Sequence, residues 1–165
     1  MTGMKTLLIL RHAKSSRDDP GLDDHERPLN PRGLKDAPRM GQTLHEQGLL
    51  PDIVLSSTAR RARHTAELAA ETCGYKAEIH LRRDLYSFDA GPYLQALAEL
   101  PDDIQSAMIV GHNPAMEEIL AKLTGKVQPV PTAALVHIEL PVQAWQELNG
   151  RVRGKLLHIW RPKEL

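Results

Sequence analysis

Short apolar runs, separated by polar stretches, divide the chain into predicted strands. Residues 7–10 read Leu-Leu-Ile-Leu, and four consecutive apolar residues are typical of a strand that is buried on both faces of a sheet. We predict this first strand over about residues 4–10. The same criteria predict five further strands, over residues 53–55, 77–81, 107–110, 135–140 and 155–160.

Apolar residues at helical spacing predict helices between these strands. The pair Asn30-Pro31 is a cap followed by a first-turn proline. The helix that it opens runs to Gly48, and Pro38 is expected to kink this helix or to delay its start. The expected starts of the other helices are Ser57 or Thr58 as a cap, Pro92, and the pair Asn113-Pro114. This alternation predicts a single three-layer α/β/α domain over residues 1–165, with a mostly parallel sheet and an antiparallel edge.

Several predicted strands are followed by an arginine or a histidine. Arg11 and His12 follow the first strand, Arg61 lies in the first turn after the second, and Gly111-His112 follows a later one. If these strands are parallel neighbours, the side chains converge at the carboxyl ends, where open α/β sheets bind ligands. Two arginines and two histidines are the groups expected in an anion-binding site that has a nucleophile and a second group able to accept or donate a proton. Taken singly, each motif is also compatible with surface decoration or with an ordinary turn.

Composition excludes several other classes of protein. The chain has 165 residues, enough for one core, and its 21 Lys and Arg balance its 21 Asp and Glu. This balance gives no indication of nucleic-acid or membrane binding. Cys73 is the single cysteine, so neither a disulfide framework nor a cysteine-based metal site is expected. The first apolar run is too short for a signal peptide or a membrane span, and we expect a cytoplasmic protein.

Four short motifs follow one another in order: Arg11-His12, then Arg27-Pro28-Leu29, then Arg61-Ala62 ahead of Thr65, and finally Gly111-His112. In this order and spacing the chain resembles the histidine phosphatase superfamily, also called the phosphoglycerate mutase-like superfamily. The resemblance covers nearly the whole chain and is greatest with the small SixA-type phosphohistidine phosphatases. It implies a phosphoglycerate mutase-like fold, and the gaps between strands are too short for an inserted cap domain.

The resemblance implies a role for each motif. His12 corresponds to the nucleophile that becomes phosphorylated, and Arg11 and Arg61 correspond to the arginines that hold the phosphoryl oxygens. His112 corresponds to a second histidine that contacts the phosphate and is expected to act as a cation. Arg27 matches a loop arginine that can reach the phosphate.

The chain also departs from the superfamily pattern. Ala13 stands where the superfamily has glycine, so we expect no positive φ there. The general-acid glutamate cannot be placed. Asp84 and Asp89 are the carboxylates in the expected segment, and each is either a candidate acid or an ordinary loop residue. Lys14 is either a phosphate contact or a solvated surface charge.

These observations predict a metal-independent phosphatase, without a cofactor, that forms a phosphohistidine intermediate. Since imidazole leaves more easily than an alkoxide, a site without a well-placed acid favours phosphohistidine in a protein as substrate. A histidine-phosphotransfer or phosphocarrier domain is one such partner, and a monomeric enzyme is expected. Two alternatives stay open. One is a phosphatase for small phosphate esters or other phosphoproteins, and the other is a non-catalytic module that binds phosphate or phosphopeptides.

Overall fold

A computed structural model describes residues 3–165, and a six-stranded sheet forms its centre. The strands are β1 (Lys5–Arg11), β2 (Ile53–Ser57), β3 (Ile79–Arg82), β4 (Ser106–Gly111), β5 (Leu135–Leu140) and β6 (Lys155–Trp160). The helices are α1 (Pro31–Glu46), α2 (Arg60–Cys73), α3 (Ala90–Ala98) and α4 (Ala115–Thr124). Short 3₁₀ helices lie at Asp24–Glu26, Arg83–Leu85, Trp145–Asn149 and Pro162–Glu164.

The strand order is β3-β2-β4-β1-β5-β6. The first four strands in this order are parallel to one another, whereas β5 pairs antiparallel with β1 and with β6. The predicted mixed sheet with an antiparallel edge is therefore confirmed. No helix within residues 3–165 is long and apolar enough to cross a membrane.

Strand β1 is buried on both faces, as its apolar run predicts. Leu7 and Ile9 belong to a core cluster on one side of the sheet, and Leu8 and Leu10 belong to a second cluster on the other side. Helices α3 and α4 contribute to the first cluster, and α1 and α2 contribute to the second. The three-layer architecture follows from this alternation, because successive side chains of a strand point to opposite faces.

The register of the parallel strands brings three carboxyl ends to one edge of the sheet. Arg11 lies opposite Gly111 in the β1–β4 pair, and Ser56 lies opposite Val110 in the β2–β4 pair. The residues that follow β1, β2 and β4 therefore meet above the middle of the sheet. This confirms the parallel neighbourhood on which the predicted convergence depends.

Helix α1 begins where the sequence predicts, and Pro38 does not delay it. The Asn30 side chain accepts a hydrogen bond from the Gly33 N–H at 2.8 Å, and Pro31 is the first helical residue. The helix continues through Pro38, so the expectation of a later start is wrong. Tertiary packing outweighs the local preference, since the Pro38 carbonyl accepts a hydrogen bond from Thr72 of α2 at 2.9 Å.

The other helix starts differ slightly from the prediction. Ala59, rather than Ser57 or Thr58, is the N-cap residue of α2, and no side chain caps this helix. The Ser57 hydroxyl instead accepts from the Ala59 N–H at 3.1 Å, which stabilises the turn before the helix. Helix α3 begins at Ala90, ahead of Pro92, and Pro114 is the N-cap residue of α4.

Helices α1 and α2 approach each other closely at Gly41. A Cβ atom at Gly41 would lie 1.8 Å from Thr72 Oγ1 and 2.3 Å from the Ala69 carbonyl oxygen. Helix propensity alone predicts that Gly41→Ala stabilises the protein by about 1 kcal/mol. We expect the opposite, a loss of about 1–3 kcal/mol in the free energy of unfolding, because the added methyl overpacks the contact. Urea denaturation measures the change. The exposed neighbour Gln42→Ala is the control, and a stabilised Gly41→Ala variant would contradict the close approach.

Candidate active site

A chain of hydrogen bonds fixes the segment that carries His12. The His12 N–H donates to the Gly111 carbonyl at 3.0 Å, which extends the β1–β4 pairing by one residue. The Ala13 N–H donates to Thr65 Oγ1 at 2.9 Å, and the Thr65 hydroxyl donates to the Arg61 carbonyl at 2.6 Å. Ala13 does not have a positive φ, as expected. Thr65 thus joins the first turns of α2 to the residue that follows His12.

The His12 ring has a defined tautomer. Its Nδ1 lies 2.8 Å from the Ala13 carbonyl oxygen, and a carbonyl oxygen can only accept, so Nδ1 carries the hydrogen. Burial lowers the pKa of His12 to about 3, although the hydrogen bond to Ala13 opposes this shift. At neutral pH the ring is therefore neutral, with the lone pair of Nε2 free to attack an electrophile.

His112 lies next to His12 at the end of β4. The two ring centroids are 5.2 Å apart, and His112 Nε2 lies 2.8 Å from Ser57 Oγ. Burial, with a further contribution from the Arg61 charge, lowers the pKa of His112 to about 3. The expectation of a cationic His112 is therefore wrong for the unliganded protein. A phosphoryl dianion beside the ring would raise this pKa, since an opposite charge favours the protonated form.

Three arginines converge on the two histidines. Arg11 donates to the Val130 carbonyl at 3.2 Å, and Arg61 donates through Nη1 to the Asp24 carbonyl at 2.7 Å. Arg27 donates to the Ser15 hydroxyl. Within residues 3–165, four buried nitrogens at this place have no hydrogen-bond partner: the Nε atoms of Arg11, Arg27 and Arg61, and Nδ1 of His112.

Unpaired buried N–H groups are rare and need an explanation. A cluster of them, three belonging to guanidinium groups, is the pattern expected where an anion binds and completes the hydrogen bonds. The guanidinium groups stay protonated at neutral pH even when buried, so the site carries positive charge while its imidazoles do not.

These side chains line one cleft of about 300 Å³. Its lining comprises Arg11, His12, Lys14, Ser15, Arg17, Asp24, Arg27, Arg61, Phe88, His112, Asn113 and Thr132. The structure thus brings together all six residues that the sequence associates with the phosphate: Arg11, His12, Lys14, Arg27, Arg61 and His112. Arg60 is exposed, so of the two adjacent arginines the predicted one faces the cleft.

The two candidate acids lie outside the cleft. Asp84 pairs with Arg82, with 2.7 Å between carboxylate and guanidinium, and Asp89 precedes α3 as its N-cap residue. Neither is among the residues that line the site. The carboxylate that does reach the cleft belongs to Asp24, in the long loop between β1 and α1. Sequence reasoning missed it, because nothing in the polar loop distinguishes Asp24 from Asp23 beside it.

Comparison with known proteins agrees with this geometry. The family model of the histidine phosphatase superfamily (branch 1) matches residues 7–108. An uncharacterized chloroplastic protein of Arabidopsis thaliana is 34% identical over 170 residues, which cover 96% of this chain and 78% of that protein. The chain belongs to the histidine phosphatase superfamily.

Within this superfamily the structure is of the SixA type. A candidate phosphohistidine phosphatase SixA from Nakamurella multipartitia superposes with a TM-score of 0.86 at 25% identity, covering 97% of each chain. Another from Agrobacterium tumefaciens gives a TM-score of 0.82 at 28% identity, covering 96% of this chain and 98% of that one. Among residues 3–165 the fold has no extra cap domain, in agreement with the sequence-based prediction.

The buried histidines should make the stability depend on pH. His12 and His112 have pKa values of about 3 in the folded protein, against about 6.5 in an unfolded chain. The folded state therefore binds fewer protons than the unfolded state between these values, and stability is lost as pH falls from about 6.5 toward 3. Each ring contributes a slope of up to about 1.4 kcal/mol per pH unit in this window.

Denaturant unfolding at stepped pH tests this expectation. The slope of the unfolding free energy against pH should be shallower in His12→Gln than in the wild type. The exposed His45→Gln should retain the wild-type slope. Equal slopes in all three proteins would show that His12 is not held neutral.

Thr65 should be required for the geometry of the site. Thr65→Val keeps the shape of the side chain but leaves the buried Ala13 N–H without its acceptor, which should cost about 1–3 kcal/mol of stability. Activity should fall as well, because the segment that holds His12 loses its link to α2. Thr65→Ser keeps the hydroxyl and should retain both. Thermal unfolding and phosphatase assays on the wild type and both variants measure these effects. A fully active Thr65→Val variant would contradict this role.

Proposed function

We propose that this protein is a phosphatase that forms a covalent phosphohistidine on His12 and removes phosphate from phosphohistidine in a protein. The observation that carries the proposal is the state of His12. Its Nδ1 is committed to the Ala13 carbonyl, which leaves the lone pair on Nε2, and the residue lines a cleft together with five cationic side chains. A neutral imidazole surrounded by guanidinium groups suits attack on an anionic phosphoryl group.

In the first step, Nε2 of His12 attacks phosphorus in line with the leaving atom. A new N–P bond forms as the bond to the leaving group breaks, and the leaving atom takes that electron pair. Negative charge on the transferring group is stabilised by Arg11, Arg61, Arg27 and His112. In the second step, a water oxygen attacks phosphorus and the N–P bond breaks, with its electron pair returning to Nε2 of His12. The water loses a proton, and inorganic phosphate and free His12 result.

His112 complements His12 in this scheme. The Ser57 hydroxyl can donate to its Nε2, which leaves the hydrogen of the neutral ring on the unpaired Nδ1. Nδ1–H is then a donor for a phosphoryl oxygen. When the dianion binds, it raises the pKa of His112, and a protonated ring stabilises the developing charge further.

The open cleft supports a protein as the substrate. No cap covers the site in the part of the chain that the structure describes, so a phosphorylated side chain on a folded domain can reach His12. Neither Asp84 nor Asp89 reaches the cleft to protonate a poor alkoxide leaving group, which favours phosphohistidine over alkyl esters. A histidine-phosphotransfer or phosphocarrier domain fits this description, and the SixA name of the similar structures agrees with it. A small phosphate ester is the alternative substrate.

The intermediate gives a direct test of the nucleophile. His12→Asn should abolish turnover of a phosphohistidine peptide and of 4-nitrophenyl phosphate, because it removes the attacking nitrogen. Acid quench of the wild type with ³²P-labelled substrate should trap acid-labile phosphate on His12. Wild-type turnover by His12→Asn would overturn the proposal, and phosphate binding without any turnover by the wild type would favour the non-catalytic module.

The adjacent arginines provide a matched pair of variants for the phosphate site. Loss of one preorganised charged donor should lower kcat by about 10²–10³, so Arg61→Ala should show this loss. Arg61→Lys should recover only part of it, because an ammonium group lacks the two-pronged geometry of a guanidinium. Arg60→Ala is the control and should have nearly the wild-type kcat. A large loss at Arg60 with none at Arg61 would reverse the assignment.

A further inference from the structure

We propose that Asp24 recognises the leaving group by accepting a hydrogen bond from the protonated imidazole ring of a phosphohistidine substrate. The inference rests on the proposed function and names the group that makes this site selective for phosphohistidine. Asp24 would thereby be a specificity-determining residue that contacts substrate.

The charge of Asp24 opposes the binding of a phosphoryl anion in the cleft. Among the described residues it is the one carboxylate that lines the cleft, alongside Arg11, Lys14, Arg17, Arg27 and Arg61. A carboxylate about 4 Å from a phosphoryl charge repels it by about 1–4 kcal/mol, depending on solvent screening. Toward phosphate itself, this charge contributes only through its pairing with Arg61 and Arg27.

Asp24 is also firmly oriented. Its Oδ2 accepts from Tyr86 Oη at 2.5 Å and from Arg61 Nη2 at 3.0 Å, and its Oδ1 lies 3.5 Å from Arg27 Nη1. About half of the side chain, 49%, stays exposed to the cleft and solvent. Two carboxylate oxygens accept about four hydrogen bonds, so a held and partly exposed Asp24 keeps capacity for a further donor.

Asp24 is an acceptor rather than a proton donor. Burial raises the pKa of the Asp24 carboxyl, but the hydrogen bonds from Tyr86 and Arg61 and the charges of Arg61 and Arg27 together outweigh this and lower it. At neutral pH the group is ionised. It therefore suits a substrate that brings its own N–H, and it does not suit one that needs a proton from the enzyme.

The wall beside Asp24 is aromatic. Tyr86 and Phe88 lie with ring centroids 5.5 Å and 5.9 Å from His112, in edge-on arrangements. Phe88 is 52% exposed although it lines a polar cleft. An exposed aromatic ring at the cleft suits a flat cationic group, because aromatic faces attract cations while the neighbouring carboxylate accepts the N–H.

Transfer of the phosphoryl group from the protonated ring to His12 requires no proton from the enzyme. In the protonated substrate ring, one nitrogen carries the phosphoryl group and the other carries the hydrogen that Asp24 accepts. When His12 Nε2 bonds to phosphorus, the N–P bond of the substrate breaks, and its electron pair stays on the ring nitrogen. The ring then leaves as neutral imidazole, with its hydrogen still on the far nitrogen. A phosphate ester offers neither this cation nor this N–H, so toward an ester the charge of Asp24 adds repulsion without a compensating hydrogen bond.

The proposal predicts that one variant, Asp24→Asn, has opposite kinetic effects on a phosphohistidine peptide and on 4-nitrophenyl phosphate. Asp24→Asn keeps an acceptor for Arg61 but loses the charge. For a phosphohistidine peptide we expect kcat/KM to fall by at least about tenfold, the loss of one charge-assisted hydrogen bond. For 4-nitrophenyl phosphate we expect KM to fall, because a repulsive charge is removed. In the pH–rate profile for phosphohistidine, the alkaline limb should move to lower pH, because the variant lacks the charge that helps to keep the bound ring protonated.

The neighbouring Asp23→Asn is the matched control, because Asp23 is exposed and does not line the cleft; it should leave both substrates unaffected. Parallel losses on both substrates in Asp24→Asn would show that Asp24 only positions Arg61, and would overturn the inference. Unchanged kinetics on both substrates, or an improvement on both, would also overturn the inference. If the wild type hydrolyses 4-nitrophenyl phosphate but not the phosphohistidine peptide, the proposed function itself fails, and that outcome is visible before any variant is made.

Discussion

The parallel pairing of β1 with β4 is the interaction on which the site depends. It sets Arg11 opposite Gly111, and the bond from the His12 N–H to the Gly111 carbonyl extends it to His12. Both strands are buried on both faces, so their register cannot shift without moving apolar side chains out of the core. The distance of 5.2 Å between the rings of His12 and His112 is therefore fixed by backbone hydrogen bonds and core packing, and the two rings need no direct bond to hold them together.

Burial then separates the chemical roles of these residues. Removing an imidazole from water disfavours its charged form, which lowers the pKa of His12 and of His112 to about 3. Burial lowers the pKa of Arg11 as well, but a guanidinium starts so high that it stays protonated. One environment thus produces neutral imidazoles beside charged guanidinium groups. Selective protonation of the two histidines, expected from the sequence, is not present before an anion binds.

The features that could be predicted from the sequence are those that depend on apolar periodicity and on which residues lie at the ends of strands. Strands β5 and β6 have the predicted boundaries. Arg11 is the last residue of β1, and His12 and His112 directly follow β1 and β4 and line the cleft. The sequence could not predict what depends on tertiary contacts. Ser57 has the residue type of a helix cap, but its hydroxyl meets His112 instead. Asp24 lies in a loop without periodicity, and only its contacts with Arg61 and Tyr86 distinguish it.

Gly111 shows how one small residue couples the two parts of the site. A Cβ atom there would lie 2.1 Å from Tyr93 Oη, so the glycine makes room for the phenol. The Tyr93 hydroxyl accepts from the His112 N–H at 3.2 Å and donates to the Leu85 carbonyl at 2.5 Å. Burial raises the pKa of Tyr93, so the hydroxyl keeps its proton. Leu85 directly precedes Tyr86 in the chain. The segment that carries Tyr86 is therefore tied through Tyr93 to His112, and a side chain at Gly111 would disturb both.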